Sequence, residues 1–334
     1  MGRARMLLGH LDKTRFREQT VGVITGGASA ERDISLETGR GFADALEALD
    51  YDVRVYDMPA DLEQLHEDRP AAVILGLHGH AGENGVLQGH LEMLRIPYTG
   101  SGVLASALAM DKQRTKAVLE AADVRCPRGE LIRDFDDDVD ARAARGVREA
   151  AGLRLPIIVK PNDDGSSVGV TLCEDDETVA RALVEAAEVG SDVASSGVLM
   201  EEYLDGPEFT VGFFDHVCLG AIEVVPGEAF YDFKAKYESD QTRYEPVEDS
   251  ALNSELESIG RDAYNAVGCR GVARVDLKSR HSEDGLELSV LEINTIPGMT
   301  ATSLVPKLAA RHGMAFEEFT EYMLASADCE MQWD

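Results

Sequence analysis

Two short polar stretches near the C-terminal end, residues 274–276 and 292–294, constrain the fold most. Side chains two positions apart on a strand point to the same face, so Arg274 goes with Asp276 and Glu292 goes with Asn294. The second pair ends an apolar strand face, where an unpaired charge would be costly. If the strands are neighbours, two carboxylates and an amide oxygen converge, a ligand set that suits Mg²⁺ bridging substrate phosphates. Two amphipathic strands with solvated outer faces are the alternative interpretation.

The first hundred residues alternate between apolar strands and helices, as a parallel α/β sheet would. Strands are predicted at 21–25, 51–56 and 71–77, and helices at 35–49 and 86–94. Further along, the patterns predict one long helix at 105–122, strands at 155–160 and 198–204, a hairpin of 208–214 with 218–225, and a polar segment at 228–247. Long segments without periodicity inside compact domains are usually lids or binding loops.

These patterns divide the chain into units. At 334 residues it is long enough for two or three domains. We predict an N-terminal extension at 1–19, an N-terminal parallel α/β domain at 20–104, a central domain at 105–205 and a C-terminal domain at 206–334.

The charge composition excludes several classes of partner. With 62 acidic and 32 basic residues, the formal net charge is −30. This disfavours nucleic acid and anionic membranes, because phosphate contacts need basic clusters. It suits a salt-rich cytoplasm that screens self-repulsion, so a halophilic protein is predicted. The five scattered cysteines are typical of reduced cytosolic thiols, and no apolar run approaches a signal peptide or the ~20 residues of a membrane helix.

A glycine-serine loop at 165–169 follows Lys160 at the end of a predicted strand. Backbone N–H groups in such a turn can hold phosphate oxygens, and a nearby lysine adds positive charge. An ordinary hairpin turn could have the same sequence. Neither the Walker pattern nor a dinucleotide-binding G-x-G-x-x-G is present. Only eight basic residues are lysine, yet Lys112, Lys160 and Lys236 all lie in or beside such motif stretches, which favours phosphate contact.

A series of motifs, in order from about residue 20 to 325, resembles the D-alanine–D-alanine ligase family. They are GGASAER at 26–32, HG at 78–79 with GENG at 82–85, YTGSG at 98–102 with MDK at 110–112, VKP at 159–161 with GSSVG at 165–169, GPEFT at 206–210, YDFKAKY at 231–237 and EINTIPGMT at 292–300.

The resemblance implies an ATP-grasp fold, α/β and α+β in class, in which a central and a C-terminal domain clamp ATP behind an N-terminal parallel α/β domain. It implies ATP-dependent joining of two D-alanines through an acyl phosphate, for peptidoglycan precursor synthesis in the cytoplasm. Two Mg²⁺ ions, for which Mn²⁺ could substitute, would assist. A homodimer is usual in the family, and neither nucleic acid nor membrane is implied as a partner.

The resemblance also assigns roles on the nucleotide side. Lys112 and Lys160 would contact the phosphates, Lys236 the γ-phosphate, and Glu201 and Glu208 the adenine and ribose. The full nucleotide set is Lys112, Lys160, Ser167, Glu201, Leu204, Glu208 and Lys236. The metal ligands would be Asp276, Glu292 and Asn294, in agreement with the strand pattern.

On the amino-acid side, Glu31 would hold the ammonium group of the first D-alanine, with His78 nearby to orient it. A strand-end histidine satisfied by the backbone is the alternative for His78. Arg274 and the Gly298 N–H would stabilise the oxyanion of the tetrahedral intermediate. Ser303 would bind the carboxylate of the second D-alanine.

Three further residues complete the set that the resemblance implies. Leu304 would lie beside the methyl group of the second D-alanine. Ser166 and Tyr237 match a pair that links the phosphate loop to the mobile loop, so that lid closure would exclude water from the acyl phosphate.

Two other functions are compatible with parts of this pattern. One is a sister ligase with a different acceptor, such as D-serine, D-lactate or another amino acid. The other is a nucleotide-binding sensor that has lost catalysis, which the presence of Arg274 and all three metal ligands argues against.

Overall fold

A computed structural model describes residues 3–29, 31–135, 139–165, 168–189, 197–225, 242–283, 285–300 and 303–331. The helices in these ranges are α1 Arg3–Leu8, α2 Arg32–Glu47, α3 Leu62–Asp68, α4 His80–Glu83, α5 Val86–Leu94, α6 Val103–Met110, α7 Lys112–Ala121, α8 Ala141–Ala150, α9 Asp176–Val189, α10 Ser250–Val267, α11 Leu304–Arg311 and α12 Phe316–Ala325. The strands are β1 Thr20–Gly26, β2 Asp52–Met58, β3 Val73–Leu75, β4 Gly129–Ile132, β5 Ile157–Pro161, β6 Thr171–Cys173, β7 Val198–Glu202, β8 Glu208–Phe214, β9 Val217–Val225, β10 Arg243–Pro246, β11 Val272–Ser282 and β12 Gly285–Asn294.

The strands form three sheets. The first, in the order β2-β1-β3, is parallel, as the alternation of strands and helices predicts. The second runs β4-β7-β5-β6 and the third β10-β9-β8-β11-β12, both with antiparallel neighbours. Each sheet lies within one predicted unit of the sequence, and the division into domains at those boundaries stays a prediction.

The N-terminal segment before β1 packs on the rest of the fold. Leu8 and Phe16 are buried in one core with residues of β1, β9 and α12. Lys13 and Arg17 both form ion pairs with Glu321 of α12, at 3.0 and 2.7 Å. Apolar burial together with these ion pairs therefore ties this segment to α12.

The predicted single helix over 105–122 is wrong, because the chain breaks into α6 and α7 at Asp111. Asp111 has an extended backbone (φ −87°, ψ 99°), and its carboxylate accepts a hydrogen bond from the Arg114 N–H at 3.0 Å. This is an N-cap, in which a short acidic side chain satisfies an orphan donor of a new helix. The cap places Lys112 at the first position of α7, where its N–H donates to the Asn162 carbonyl at 3.0 Å.

The polar segment predicted at 228–247 lies mostly outside the described residues, and its last part forms the edge strand β10. Across the described ranges, no helix combines the length and apolar character needed to cross a membrane.

Candidate active site

The two polar stretches near the C-terminal end lie on neighbouring strands, which is the condition on which their predicted convergence depended. β11 and β12 pair in antiparallel register, with Arg274 opposite Asn294 and Asp276 opposite Glu292. Directly opposite residues share a face of the sheet, so the four side chains converge. We call Asp276, Glu292 and Asn294 the acidic edge.

Arg274 and Thr210 hold the Asp276 carboxylate in place. The guanidinium of Arg274 donates from Nε to Oδ1 at 2.9 Å and from Nη2 to Oδ2 at 2.8 Å. Thr210, opposite Asp276 on β8, donates its hydroxyl to Oδ1 at 2.5 Å. Such a two-pronged arginine contact fixes orientation as well as charge.

A cleft opens beside the acidic edge, between the two antiparallel sheets, with about 1080 Å³ of empty space that includes its open mouth. Its walls carry all five predicted nucleotide residues that the structure describes. Those lining it are Lys112, Lys160, Glu201, Leu204 and Glu208, together with Asp276, Glu292, Arg274 and Leu304. We call it the main cleft.

Two buried lysines share one buried carboxylate at the floor of the main cleft. The carboxylate of Glu201 on β7 pairs with two ammonium groups, Lys116 Nζ at Oε1 and Lys160 Nζ at Oε2, both at 2.6 Å. The Glu201 side chain is only 3% exposed. Burial alone would raise the pKa of Glu201, but the two lysines outweigh it and lower that pKa. Burial likewise opposes charge on Lys160, while Glu201 and Glu292 raise its pKa. We call Lys116, Lys160 and Glu201 the lysine floor.

Glu208, at the start of β8, lies on the opposite wall. Its Oε2 is 3.3 Å from the ammonium group of Lys278, one strand away on β11. Burial, together with the charge of the neighbouring Asp276, raises the pKa of Glu208. An added hydrogen-bond donor would therefore stabilise its charged form.

A second, smaller cleft of about 480 Å³ adjoins the main cleft. The two share Lys112, Asp164 and Glu292 in their walls. The ammonium of Lys112 donates to the Asp164 carbonyl at 2.5 Å and lies 3.5 Å from Glu292 Oε2. A cation and the acidic edge thus stand where the two clefts meet.

Glu31, just before α2, projects into the smaller cleft between two glycines. A Cβ added to Gly79 would lie 2.7 Å from Glu31 Oε2, and one added to Gly165 would lie 3.6 Å from it. Gly79 also has φ +76°, a conformation that favours glycine. Two segments distant in sequence therefore leave room for one carboxylate.

His78 is buried and both of its ring nitrogens have partners. Nδ1 lies 3.0 Å from the carbonyl oxygen of Ile296, and Nε2 lies 2.9 Å from the Thr38 hydroxyl. Because a carbonyl only accepts, Nδ1 donates to Ile296, and Nε2 pairs with the Thr38 hydroxyl. His78 thus joins the end of the parallel sheet to the loop after β12.

The loop after β12 brings the remaining predicted residues together. A Cβ on Gly298 would lie 3.1 Å from the Ser303 hydroxyl oxygen, so the two positions adjoin. That hydroxyl oxygen accepts from the Thr300 N–H at 3.0 Å, and Leu304 lines the main cleft. Ser166, Ser167, Lys236 and Tyr237 lie outside the described residues.

Three residues that the sequence interpretation missed have clear roles in this geometry: Lys116, Asp164 and Thr210. Lys116 was detectable, because it is one of few lysines and follows Lys112 by four positions, on the same face of a helix. Asp164 contributes only a backbone carbonyl, which no sequence signal marks. Thr210 ends the GPEFT motif at 206–210, but a strand hydroxyl does not by itself indicate contact with Asp276.

Comparison with known proteins gives consistent results. A family profile described as D-ala D-ala ligase C-terminus matches residues 132–325. The D-alanine–D-alanine ligase of Anaeromyxobacter sp. is 42% identical over 316 residues, covering 94% of this chain and 98% of its own. That of Glaesserella parasuis is 40% identical over 312 residues, covering 92% and 98%.

Solved structures resemble the fold across most of the chain. The D-alanine–D-alanine ligase of Bacillus anthracis complexed with ATP has a TM-score of 0.76 at 30% identity, covering 91% of this chain and 96% of that one. The VanG D-Ala:D-Ser ligase of Enterococcus faecalis has a TM-score of 0.75 at 25% identity, covering 91% and 98%.

Proposed function

This chain belongs to the D-alanine–D-alanine ligase family, and we propose that it joins two D-alanines into D-alanyl-D-alanine with ATP. One observation of the site carries the proposal beyond family membership. The main cleft, which is lined by all the described residues predicted to bind the nucleotide, and the smaller cleft meet at Lys112, Asp164 and Glu292. Phosphoryl transfer between two substrates needs such a junction, because the donor phosphate and the acceptor carboxylate must approach each other.

The main cleft would hold ATP. Lys112 and Lys160 would contact its phosphates, since both ammonium groups line this cleft. Glu208 would accept hydrogen bonds from the ribose, and Leu204 and Glu201 lie where the adenine would stack and be recognised. Burial makes these contacts strong, because charge-assisted hydrogen bonds gain strength away from water.

The smaller cleft would hold the first D-alanine. Glu31 would bind its ammonium group, and the ring of His78 would keep the loop after β12 against the parallel sheet. The second D-alanine would lie toward Ser303, whose hydroxyl would bind its carboxylate, with Leu304 beside its methyl group. The closeness of Ser303 to Gly298 supports this placement.

The acidic edge fits magnesium in its chemistry. Asp276 and Glu292 are carboxylates and Asn294 is an amide, all oxygen donors on adjacent strand positions. Within the described ranges no group of three histidine, cysteine or carboxylate side chains could hold a metal by itself. Two carboxylates and an amide suit an ion whose other coordination positions are filled by water molecules and by phosphate oxygens of the substrate. When bound, Mg²⁺ would neutralise charge on the transferring phosphoryl group.

The proposed reaction has two steps. A carboxylate oxygen of the first D-alanine attacks the γ-phosphorus of ATP, the bond to ADP breaks, and an acyl phosphate forms. The deprotonated amine of the second D-alanine attacks the acyl carbon. Arg274 and the Gly298 N–H stabilise the resulting oxyanion. Phosphate leaves with the electrons of the carbon–oxygen bond, and the nitrogen releases its extra proton to solvent.

We propose that the protein acts in peptidoglycan precursor synthesis, in the cytoplasm and as a homodimer. Since the acceptor decides the role, the test is a competition. Purified protein receives ATP, Mg²⁺ and equal concentrations of D-alanine, D-serine and D-lactate, and product masses are measured. D-alanyl-D-alanine should dominate, and its excess over D-alanyl-D-lactate should grow above neutral pH, where more of the amine is unprotonated. A predominant mixed product would favour the sister-ligase function, and ADP formation without any product would overturn the proposal.

A further inference from the structure

Lys116 stands in an unusual relation to the main cleft. Its side chain is only 4% exposed and does not belong to the described residues that line the cleft. Its ammonium group instead pairs with Glu201 Oε1 beside Gly129 on β4. A Cβ on Gly129 would lie 3.1 Å from the Lys116 ammonium and 2.8 Å from Glu201 Cγ. The same Cβ would lie 2.5 Å from the Met200 carbonyl oxygen, so glycine fits best beside the buried pair of Lys116 and Glu201.

The lysine floor raises a question of charge balance. If ATP occupies the main cleft, Lys160 must turn its ammonium group toward the phosphates. That group now lies 2.6 Å from Glu201 Oε2. Removing one partner from a buried ion pair leaves an uncompensated buried charge, which is strongly unfavourable. Lys116 on the other oxygen prevents this outcome, because Glu201 keeps a cation when Lys160 leaves.

We propose that Lys116 is a positioning residue that neutralises Glu201 so that Lys160 is free to bind the nucleotide phosphates. The inference rests on the proposed function, since it assumes ATP in the main cleft. The lysine floor carries two positive charges and one negative charge, so its net charge favours an anion above it. Without Lys116 the floor would be neutral, and Lys160 would stay with Glu201.

Calorimetric titration of the protein with MgATP, and separately with adenosine, tests this without any D-alanine present. Lys116→Met should weaken MgATP binding roughly 10- to 100-fold, because Lys160 must then leave Glu201 buried without a cation in order to reach a phosphate. Adenosine, which has no phosphate, should bind within about threefold of the unaltered protein. Lys116→Arg should retain MgATP affinity. Lys307→Met, which removes a lysine exposed on α11, is the matched control and should change neither affinity.

The same substitution is also tested in a Glu201→Gln variant, so that the conclusion does not depend on the stability of Lys116→Met alone. Adding Glu201→Gln removes the carboxylate that would be stranded, so Lys116→Met should then change MgATP affinity by less than about threefold. MgATP affinity of Lys116→Met within threefold of the unaltered protein would overturn the inference. So would a tenfold loss in the Glu201→Gln background, because Lys116 would then act on the nucleotide directly.

The failures of the two proposals are distinguishable. Unaltered protein that binds MgATP but makes no dipeptide would overturn the proposed function, while the titrations would still decide the role of Lys116. Unaltered protein that makes D-alanyl-D-alanine, with Lys116→Met binding MgATP normally, would overturn the inference alone.

Discussion

The acidic edge and the lysine floor lie in one cleft but use charge in different ways. The acidic edge comes from two consecutive strands, and the side chains of Asp276 and Glu292 are 15% and 30% exposed. The lysine floor draws on α7, β5 and β7, and its Glu201 is 3% exposed. Partly exposed carboxylates can bind a ligand while solvent still reaches them, whereas a buried ion is stable only while it keeps a partner of opposite charge. We therefore expect charge at the acidic edge to serve the proposed reaction, and charge at the lysine floor to stabilise the fold as well.

The sharpest test of this difference is Glu292→Gln, which keeps the shape of the side chain but removes its charge. Ligase turnover should fall roughly a thousandfold or more, because several kcal/mol of transition-state stabilisation at the phosphoryl group is lost. The urea midpoint of unfolding should stay near that of the unaltered protein. Glu287→Gln, on the same strand but exposed and paired with Arg125, should turn over normally. Near-normal turnover of folded Glu292→Gln at saturating Mg²⁺ would show that the Glu292 carboxylate is not a metal ligand.

The lysine floor should respond in the opposite way. Glu201→Ala leaves Lys116 and Lys160 buried without their shared carboxylate, so the free energy of unfolding should fall by about 3–5 kcal/mol. Glu287→Ala, which breaks an exposed pair, should lower it by about 1 kcal/mol or less. Urea unfolding followed by circular dichroism measures both. Equal losses in the two variants would mean that burial does not separate the lysine floor from the surface.

Salt should separate the surface charge from the lysine floor. A net charge of −30 implies self-repulsion that ions screen, with a Debye length of ~10 Å at 0.1 M and ~3 Å at 1 M. The melting temperature of the unaltered protein should rise steeply in KCl between these concentrations. The stability difference caused by Glu201→Ala should hardly change, because buried pairs are screened much less. A flat salt profile would remove the prediction of a halophilic protein.

The smallest expected effect concerns Glu202, the neighbour of Glu201 on β7. Burial would raise the pKa of Glu202, but hydrogen bonds from Arg128 and Arg280 outweigh it and lower the pKa to about 2. A carboxyl whose pKa is lowered by folding adds stability above its unfolded pKa and loses it as pH falls toward the folded value. Glu202→Gln should therefore destabilise the protein at pH 6, and the difference should shrink between about pH 4.5 and 2. A difference that stays constant over that window would point to shape rather than charge.

Much of the fold and part of the site were predictable from the sequence. The family, the ATP-grasp fold and the parallel N-terminal sheet are confirmed. Strand periodicity put Arg274 with Asp276 and Glu292 with Asn294. Their convergence was predicted on the condition that the two strands are neighbours, and the observed register meets that condition. The long helix at 105–122 was wrong, because helical periodicity continues through Asp111 while its side chain caps a new helix. The roles assigned to individual residues stay predictions.

The sequence by itself determined what local periodicity and ordered motifs can carry: strand faces, the glycine positions and the family. Only the tertiary structure decided which distant charges share a site. Lys116 and Glu201 are 85 positions apart, and no local pattern records that one ammonium lies behind the carboxylate and another in front of it. The physical reason is that a buried ion is stable only with its partner, and that partner is chosen by the packing of α7, β5 and β7 together.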